Sequence, residues 1–175
     1  MSRTLILYST VDGHTLRICQ RIADRLLAAG ELVEVRDIER VDDALLACHD
    51  KILVGASIRY GKHRPALFEF GRRYQALLDA RINGFFTVNV VARKPLKNTP
   101  QTNPYMQKFL TLSAWQPQQL GVFAGKIDYP KYRLFDRTMI RFIMWLTKGP
   151  TDIRGSFEFT DWDMVDAFAK AFGER

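Results

Sequence analysis

Apolar positions along this chain alternate between two periods. Five short runs, Thr4–Tyr8, Leu32–Arg36, Lys51–Ala56, Phe85–Ala92 and Leu120–Ala124, are nearly continuous in apolar residues and predict strands buried on both faces. Between them the apolar residues recur at helical spacing. A helix starting at Thr15 carries Leu16, Cys19, Ile22, Ala23, Leu26 and Leu27 on one face, and Gly30 closes it. A weak helix over Asp42–Ala47 follows the second strand. Pro65 suits the first turn of a continuous helix whose stripe is Leu67, Phe70, Tyr74, Leu77 and Leu78. A polar loop over Arg93–Gln101 leads to a helix opened by Asn103 and Pro104. Thr160, with Asp163 three residues on, has the spacing of a capping box for a last helix carrying Trp162, Val165, Phe168, Ala169 and Phe172. Strands alternating with helices predict one α/β domain over residues 1–175, a doubly wound parallel sheet of five strands in the order 2-1-3-4-5.

Residues 126–154 break this rhythm. They form an insertion longer than an ordinary connection, and such lengths usually accompany function. Residues 126–148 hold six basic residues against two acidic ones, more than half of the chain's net positive charge. Wound as a helix over 133–148, Arg133, Arg137, Arg141 and Lys148 fall within roughly 80° of arc. Leu134, Phe135, Met139, Ile140, Phe142, Ile143, Met144, Trp145 and Leu146 fill most of the remainder. The segment is too short to cross a bilayer and has the character of an interfacial helix, with Arg133, Arg137, Arg141, Phe142, Trp145 and Lys148 as the expected membrane contacts. Packing on the core or across a homo-oligomer interface would use the same stripe.

The chain has 175 residues, 47% hydrophobic and 26% charged, a balance that excludes disorder. Its formal charge of +7 calls for anionic partners without choosing among a membrane surface, a polyanionic small molecule and nucleic acid. Basic residues clustered on one inserted helix fit a membrane better than a nucleic-acid groove, so no nucleic acid is expected. Cys19 and Cys48 form no CxxC pair, which gives no disulfide scaffold and no metal site. The start of the chain lacks the pattern of a signal peptide, and no apolar run reaches bilayer length.

In an open parallel sheet the ligand crevice lies beyond the carboxyl ends of the strands at the switch point. After the first strand comes Ser9-Thr10-Val11-Asp12-Gly13-His14-Thr15. Backbone amides and the positive end of the helix would face a phosphate there. Ser9, Thr10 and Thr15 add hydroxyls, and Gly13 permits close approach. The loop resembles the FMN-phosphate loop of flavodoxins, which makes the expected fold flavodoxin-like and the expected cofactor FMN. Asp12 departs from that pattern, standing where a threonine is usual. Its carboxylate either turns away to cap the loop or weakens the grip on the phosphate.

Longer strings carry a narrower resemblance. Ala56-Ser57-Ile58-Arg59-Tyr60-Gly61, Val88-Asn89-Val90-Val91-Ala92-Arg93-Lys94-Pro95, Thr99-Pro100-Gln101-Thr102-Asn103, Tyr129-Pro130-Lys131-Tyr132-Arg133 and Thr160-Asp161-Trp162 are similar to those of the bacterial menaquinone-dependent protoporphyrinogen IX dehydrogenases. The matches run over nearly the whole chain, and an acid at position 12 accords with that family. The resemblance implies FMN as prosthetic group, protoporphyrinogen IX as reductant and a respiratory quinone, menaquinone or ubiquinone, as acceptor in haem biosynthesis. It also implies a peripheral location on the cytoplasmic side of the inner membrane.

Carried over by position, Ser57, Ile58, Arg59, Tyr60, Asn89, Ala92 and Arg93 become candidates for the flavin edge, with Tyr60 either stacking on the ring or packing on Pro65. Two propionates on the substrate call for cations near the flavin, and Arg59, Arg64, Arg93 and Lys94 fall on the expected loops. Arginine grips a carboxylate in a fork, which favours the arginines, and Lys97 belongs to a solvated rim. No acid/base set stands out. His14 is expected to support the phosphate loop, His49 to lie at the surface, and His63 to be the one histidine near the flavin edge. A flavodoxin-type electron carrier and an NAD(P)H:quinone reductase of the same fold remain open as alternatives. The positive charge disfavours the carrier, since such carriers dock basic partners.

Overall fold

A computed structural model describes residues 1–175. Its central sheet is built from β1 (Arg3–Ser9), β2 (Leu32–Asp37), β3 (Lys51–Ser57), β4 (Ile82–Asn89) and β5 (Gln119–Ala124), all parallel and ordered β2-β1-β3-β4-β5. The near-continuous apolar runs follow from burial on both faces. Along β1, Leu5 and Leu7 enter one core layer and Ile6 the other; along β3, Ile52 and Val54 oppose Leu53; on β4, Phe85 and Phe86 part in the same way. Helices α1 (His14–Ala28) and α7 (Trp162–Gly173) cover one face. The opposite face is covered by α2 (Asp43–Ala47), α3 (Pro65–Arg73), α4 (Gln75–Asp79) and α5 (Pro104–Leu112). Gly55, in the middle of the sheet, is required because the Phe86 ring lies where its Cβ would stand.

Several boundaries differ from the sequence expectations for physical reasons. The stripe from Pro65 forms two helices, since Tyr74 leaves the helical region at φ −108° and ψ 15°. Phe70, Tyr74 and Leu78 nonetheless all reach the core. β4 begins at Ile82, because buried Asn83 is satisfied by Leu78 O, Trp115 Nε1 and the Gln118 amide. It ends at Asn89, whose side chain accepts from Ala92 N and turns Val90–Arg93 into a 3₁₀ turn. Asp161, not Thr160, caps α7, accepting from the Asp163 and Met164 amides.

The insertion is a closed excursion. β6 (Lys126–Asp128) pairs antiparallel with β7 (Ser156–Glu158), so it ends at residue 158 and not 154. Between them lies α6 (Leu134–Leu146), over a satellite core of Ile127, Tyr129, Tyr132 and Met144. No helix is long and apolar enough to cross a membrane.

Candidate functional site

The β1–α1 loop is shaped by Gly13, whose φ of +87° is accessible to glycine at little cost. Gly13 holds the N-cap position of α1 and offers no side-chain cap, so the first-turn amides of a 15-residue helix have no side-chain acceptor. Thr10 Oγ1 accepts from Gly13 N at 3.0 Å and fixes the turn. The hydroxyls of Ser9, Thr15 and Ser57 are buried and have no hydrogen-bond partner. Thr10, Thr15, Ser57, Asn89, Gly125 and Lys126 line a recess of about 60 Å³. Buried hydroxyls without partners are uncommon, and here two flank an uncapped helix start while Ser57 lies on the next strand. The donor set fits a phosphate monoester.

His14 supports this loop through a defined tautomer. Thr160 Oγ1 donates to Ala124 O at 2.7 Å, so it accepts from His14 Nε2–H, also at 2.7 Å. Nδ1 then carries the lone pair, buried and unpartnered, 3.9 Å from Glu158. Burial holds the His14 pKa below the ordinary histidine value, with Arg17 and Lys126 adding to the depression and Glu158 opposing it.

Beside the recess opens a cavity of about 140 Å³ between the β3 and β4 loops and the inner face of α6. Its walls are largely apolar, with Ile58, Tyr60, Tyr105, Ile140, Ile143 and Met144 prominent, and its cations are Arg59 and Lys126. Tyr60 and Gly61, at φ +53° and +71°, form the tip of a two-residue turn clamped by Arg59 N to Lys62 O at 3.0 Å and Lys62 N to Arg59 O at 3.2 Å. Tyr60 is thereby presented at the cavity mouth, 46% exposed. A charged depression of about 170 Å³, with Asp12, His14, Arg17, Lys126, Asp128 and Lys131, adjoins both spaces, and its two lysines lie 3.7 and 3.6 Å from Asp128. A roomier groove of about 820 Å³ lies at the other end of the strands, near Met1 and Gly173; its Arg25 and Asp166 are paired with each other.

Asp12 does not cap the loop; it lines both the recess and the cavity. Its carboxylate accepts from Arg59 Nη2, and Arg59 also lies 3.8 Å from Asp136 on α6. Of the four cations expected for the substrate, only Arg59 lines the cavity. Arg64 sits at the start of α3 and faces Glu39 at 3.4 Å. Arg93 donates to Val90 O, Thr147 O and Thr147 Oγ1, tying the β4 loop to the end of α6, and burial lowers its pKa. Lys94 follows the 3₁₀ turn away from the cavity lining. Ala92 is packed in the core under this turn, not at a ring edge. Asn89 lines both spaces, but its side chain is spent on Ala92 N and on the buried Asn103.

His63 is a core residue. Its ring packs against Phe68, Phe85 and Phe109, its Nε2 meets Thr87 Oγ1 at 2.9 Å, and burial pushes its pKa down to about 4. It is no general base at the cavity. His49 is likewise buried, with Nδ1 2.7 Å from Leu45 O. Lys126, Tyr105 and Tyr132 were not singled out from sequence as site residues. Lys126 lines all three adjoining spaces, and its place directly after Gly125 at the carboxyl end of β5 is the signal that a switch-point argument could have used.

α6 is the part of the insertion that meets solvent. Only Met144 of its residues is buried, while Leu134, Phe135, Phe142, Trp145 and Leu146 are 54–76% exposed. Packing of this stripe on the core, the alternative to an interfacial helix, is therefore not what the structure shows. Arg133 and Arg141 are exposed at its flank, whereas Arg137 turns inward toward Tyr132 O with a buried Nε, and Lys148 lies past the helix at φ +59°.

The flavodoxin-domain family matches residues 5–154. Two proteins named protoporphyrinogen IX dehydrogenase [quinone] are close in sequence. The one from Escherichia coli K12 is 42% identical, covering 96% of this chain and 93% of its own, and the one from Leishmania major is 44% identical, covering 97% and 74%. Among solved structures, a short-chain flavodoxin associated with a bacterial microcompartment superposes with a TM-score of 0.58 at 12% identity, covering 99% of this chain and 98% of that one. Oxidised flavodoxin 1 from Bacillus cereus gives 0.57 at 16%, covering 99% of both chains. At such identities these structures speak for the fold.

Proposed function

The chain belongs to the quinone-dependent protoporphyrinogen IX dehydrogenases of the flavodoxin-domain family, and from that premise we propose that it oxidises protoporphyrinogen IX to protoporphyrin IX with a respiratory quinone as acceptor, in haem biosynthesis. The flavodoxin domain points to a flavin, and FMN is the form assigned here. The observation that carries this is the pair of unpartnered buried hydroxyls, Thr15 and Ser57, that line the recess at the uncapped start of α1, with the unpartnered hydroxyl of Ser9 buried at the end of β1. They match a terminal phosphate in kind and placement.

A bound FMN would supply the two-electron redox chemistry between the porphyrinogen, which gives up six electrons in all, and three quinones. The protein's part is binding and orientation. Ser9, Thr10, Thr15 and the α1 amides hold the phosphate. Ile58, Tyr60 and Tyr105 on one side, with Ile140, Ile143 and Met144 on the other, would offer apolar walls at the cavity mouth against which the flavin ring and the macrocycle lie. Arg59 and Lys126 are the cations that meet propionate. No histidine lines the cavity, so none of the three is placed there as a general base.

The exposed apolar face of α6, flanked by Arg133, Arg141 and Lys148, supports docking on an anionic membrane from its cytoplasmic side, where a lipid-soluble quinone resides. Each basic residue contributes about 1 kcal/mol near such a surface. The test of the activity is anaerobic mixing of FMN-loaded protein with protoporphyrinogen IX. Porphyrin fluorescence rises when a menaquinone or ubiquinone analogue is present, and a flat trace with both would remove the proposal.

A further inference from the structure

Arg59 is held asymmetrically. Its backbone is fixed by the Arg59–Lys62 turn, its guanidinium lies 5.1 Å over the Tyr132 ring, and its side chain is only 16% exposed. Nη2 donates to Asp12 from the phosphate loop. Nη1 has Asp136 of α6 within 3.8 Å, an ion-pair distance too long for a hydrogen bond, and neither Nη1 nor Nε donates to any acceptor. A guanidinium this enclosed, with most of its N–H groups unspent and facing an apolar cavity, is completed by an incoming carboxylate. Lys126 is the other cation on that cavity.

We infer that Asp12 is a positioning residue for substrate recognition: it holds Nη2 so that the remaining edge of Arg59 meets a propionate, and Asp136 is the loose counter-ion which that propionate displaces. The inference rests on the porphyrinogen reading above and deepens it. It also accounts for the acid at position 12, where a hydroxyl would serve the phosphate alone. The trade is a contact to the cofactor for selection of a carboxylate-bearing macrocycle. Asp136 lies in the first turn of α6, where a carboxylate is favoured by the helix and remains so after moving toward solvent.

The experiment compares protoporphyrin IX with its dimethyl ester, which keeps the macrocycle and loses both charges. Binding to FMN-loaded protein is read by porphyrin fluorescence, and the FMN dissociation constant of every variant by flavin fluorescence. Wild type is expected to bind the free acid about tenfold more tightly than the ester, the worth of one charge-assisted hydrogen bond. Asp12→Thr brings that ratio near unity while FMN binds as tightly as before or more so. Asp12→Asn, which still accepts from Nη2, keeps an intermediate ratio. Asp136→Asn tightens the free acid about threefold and leaves the ester unchanged. An unaltered ratio in Asp12→Thr, or weaker acid binding in Asp136→Asn, overturns the inference. Failure of wild type to bind either porphyrin overturns the porphyrinogen reading as well.

Discussion

At Ser9 and Thr15 the chain buries hydroxyls that bond to nothing of its own, each a loss of about 1–3 kcal/mol unless a ligand completes it. Ser9→Ala and Thr15→Ala should therefore leave the flavin-free protein as stable as wild type or slightly more so. FMN binding should weaken about tenfold in each. Chemical denaturation paired with flavin-fluorescence titration separates the two effects, and a loss of stability with unchanged FMN binding would assign these hydroxyls to the fold instead. His63 gives a pH prediction. Its folded pKa of about 4 lies below the ordinary histidine value of 6.5, so the unfolded chain binds the proton more readily. The stabilisation is complete above about pH 6.5 and is lost as pH falls toward 4, amounting to at most about 3 kcal/mol. Urea midpoints across that window should fall for wild type and flatten in His63→Gln. The β1–α1 loop with its hydroxyls and Gly13 was legible in sequence because its residues are adjacent. The Asp12–Arg59 bond was not, since the partners lie 47 residues apart, and His63 was misplaced because aromatic neighbours from three separate elements decide its burial.

Among the elements, α6 is the one whose apolar residues point outward. Its helical stripe was plain in sequence, but which side faces the body was not, since periodicity reports a face without its destination. The inward side turned out to be Asp136, Arg137, Ile140 and Met144, drawing an arginine inside and leaving the bulky aromatics in solvent. The double variant Phe142→Ser with Trp145→Ser should lose sedimentation with anionic vesicles and keep its FMN. Stability should change little, as both positions are exposed, 54% and 68%. Unchanged sedimentation would turn the face over to another use. Strand order was readable from the alternation of elements, whereas the ends of β4 were not: Asn83 and Gly84 carry no strand signal, and the ladders of β3 and β5 on either side impose it.

Across the whole molecule, a doubly wound sheet collects the carboxyl ends of β1, β3, β4 and β5 at one edge, and the insertion, zipped by β6 and β7, folds back over that edge. The hydroxyl-lined recess, the apolar cavity and α6 thus lie at one end, with Lys126 lining both the recess and the cavity. FMN at about a hundred times its dissociation constant should add about 2.7 kcal/mol to stability, raising Tm by roughly 5–10 °C. A thermal melt with and without FMN checks this, and no shift would mean no binding. The most direct test follows the flavin itself. In anaerobic half-reactions, protoporphyrinogen IX should bleach the visible absorbance of the bound flavin and a menaquinone analogue should restore it, with NADPH leaving it intact. Bleaching by NADPH and not by protoporphyrinogen IX would contradict the account.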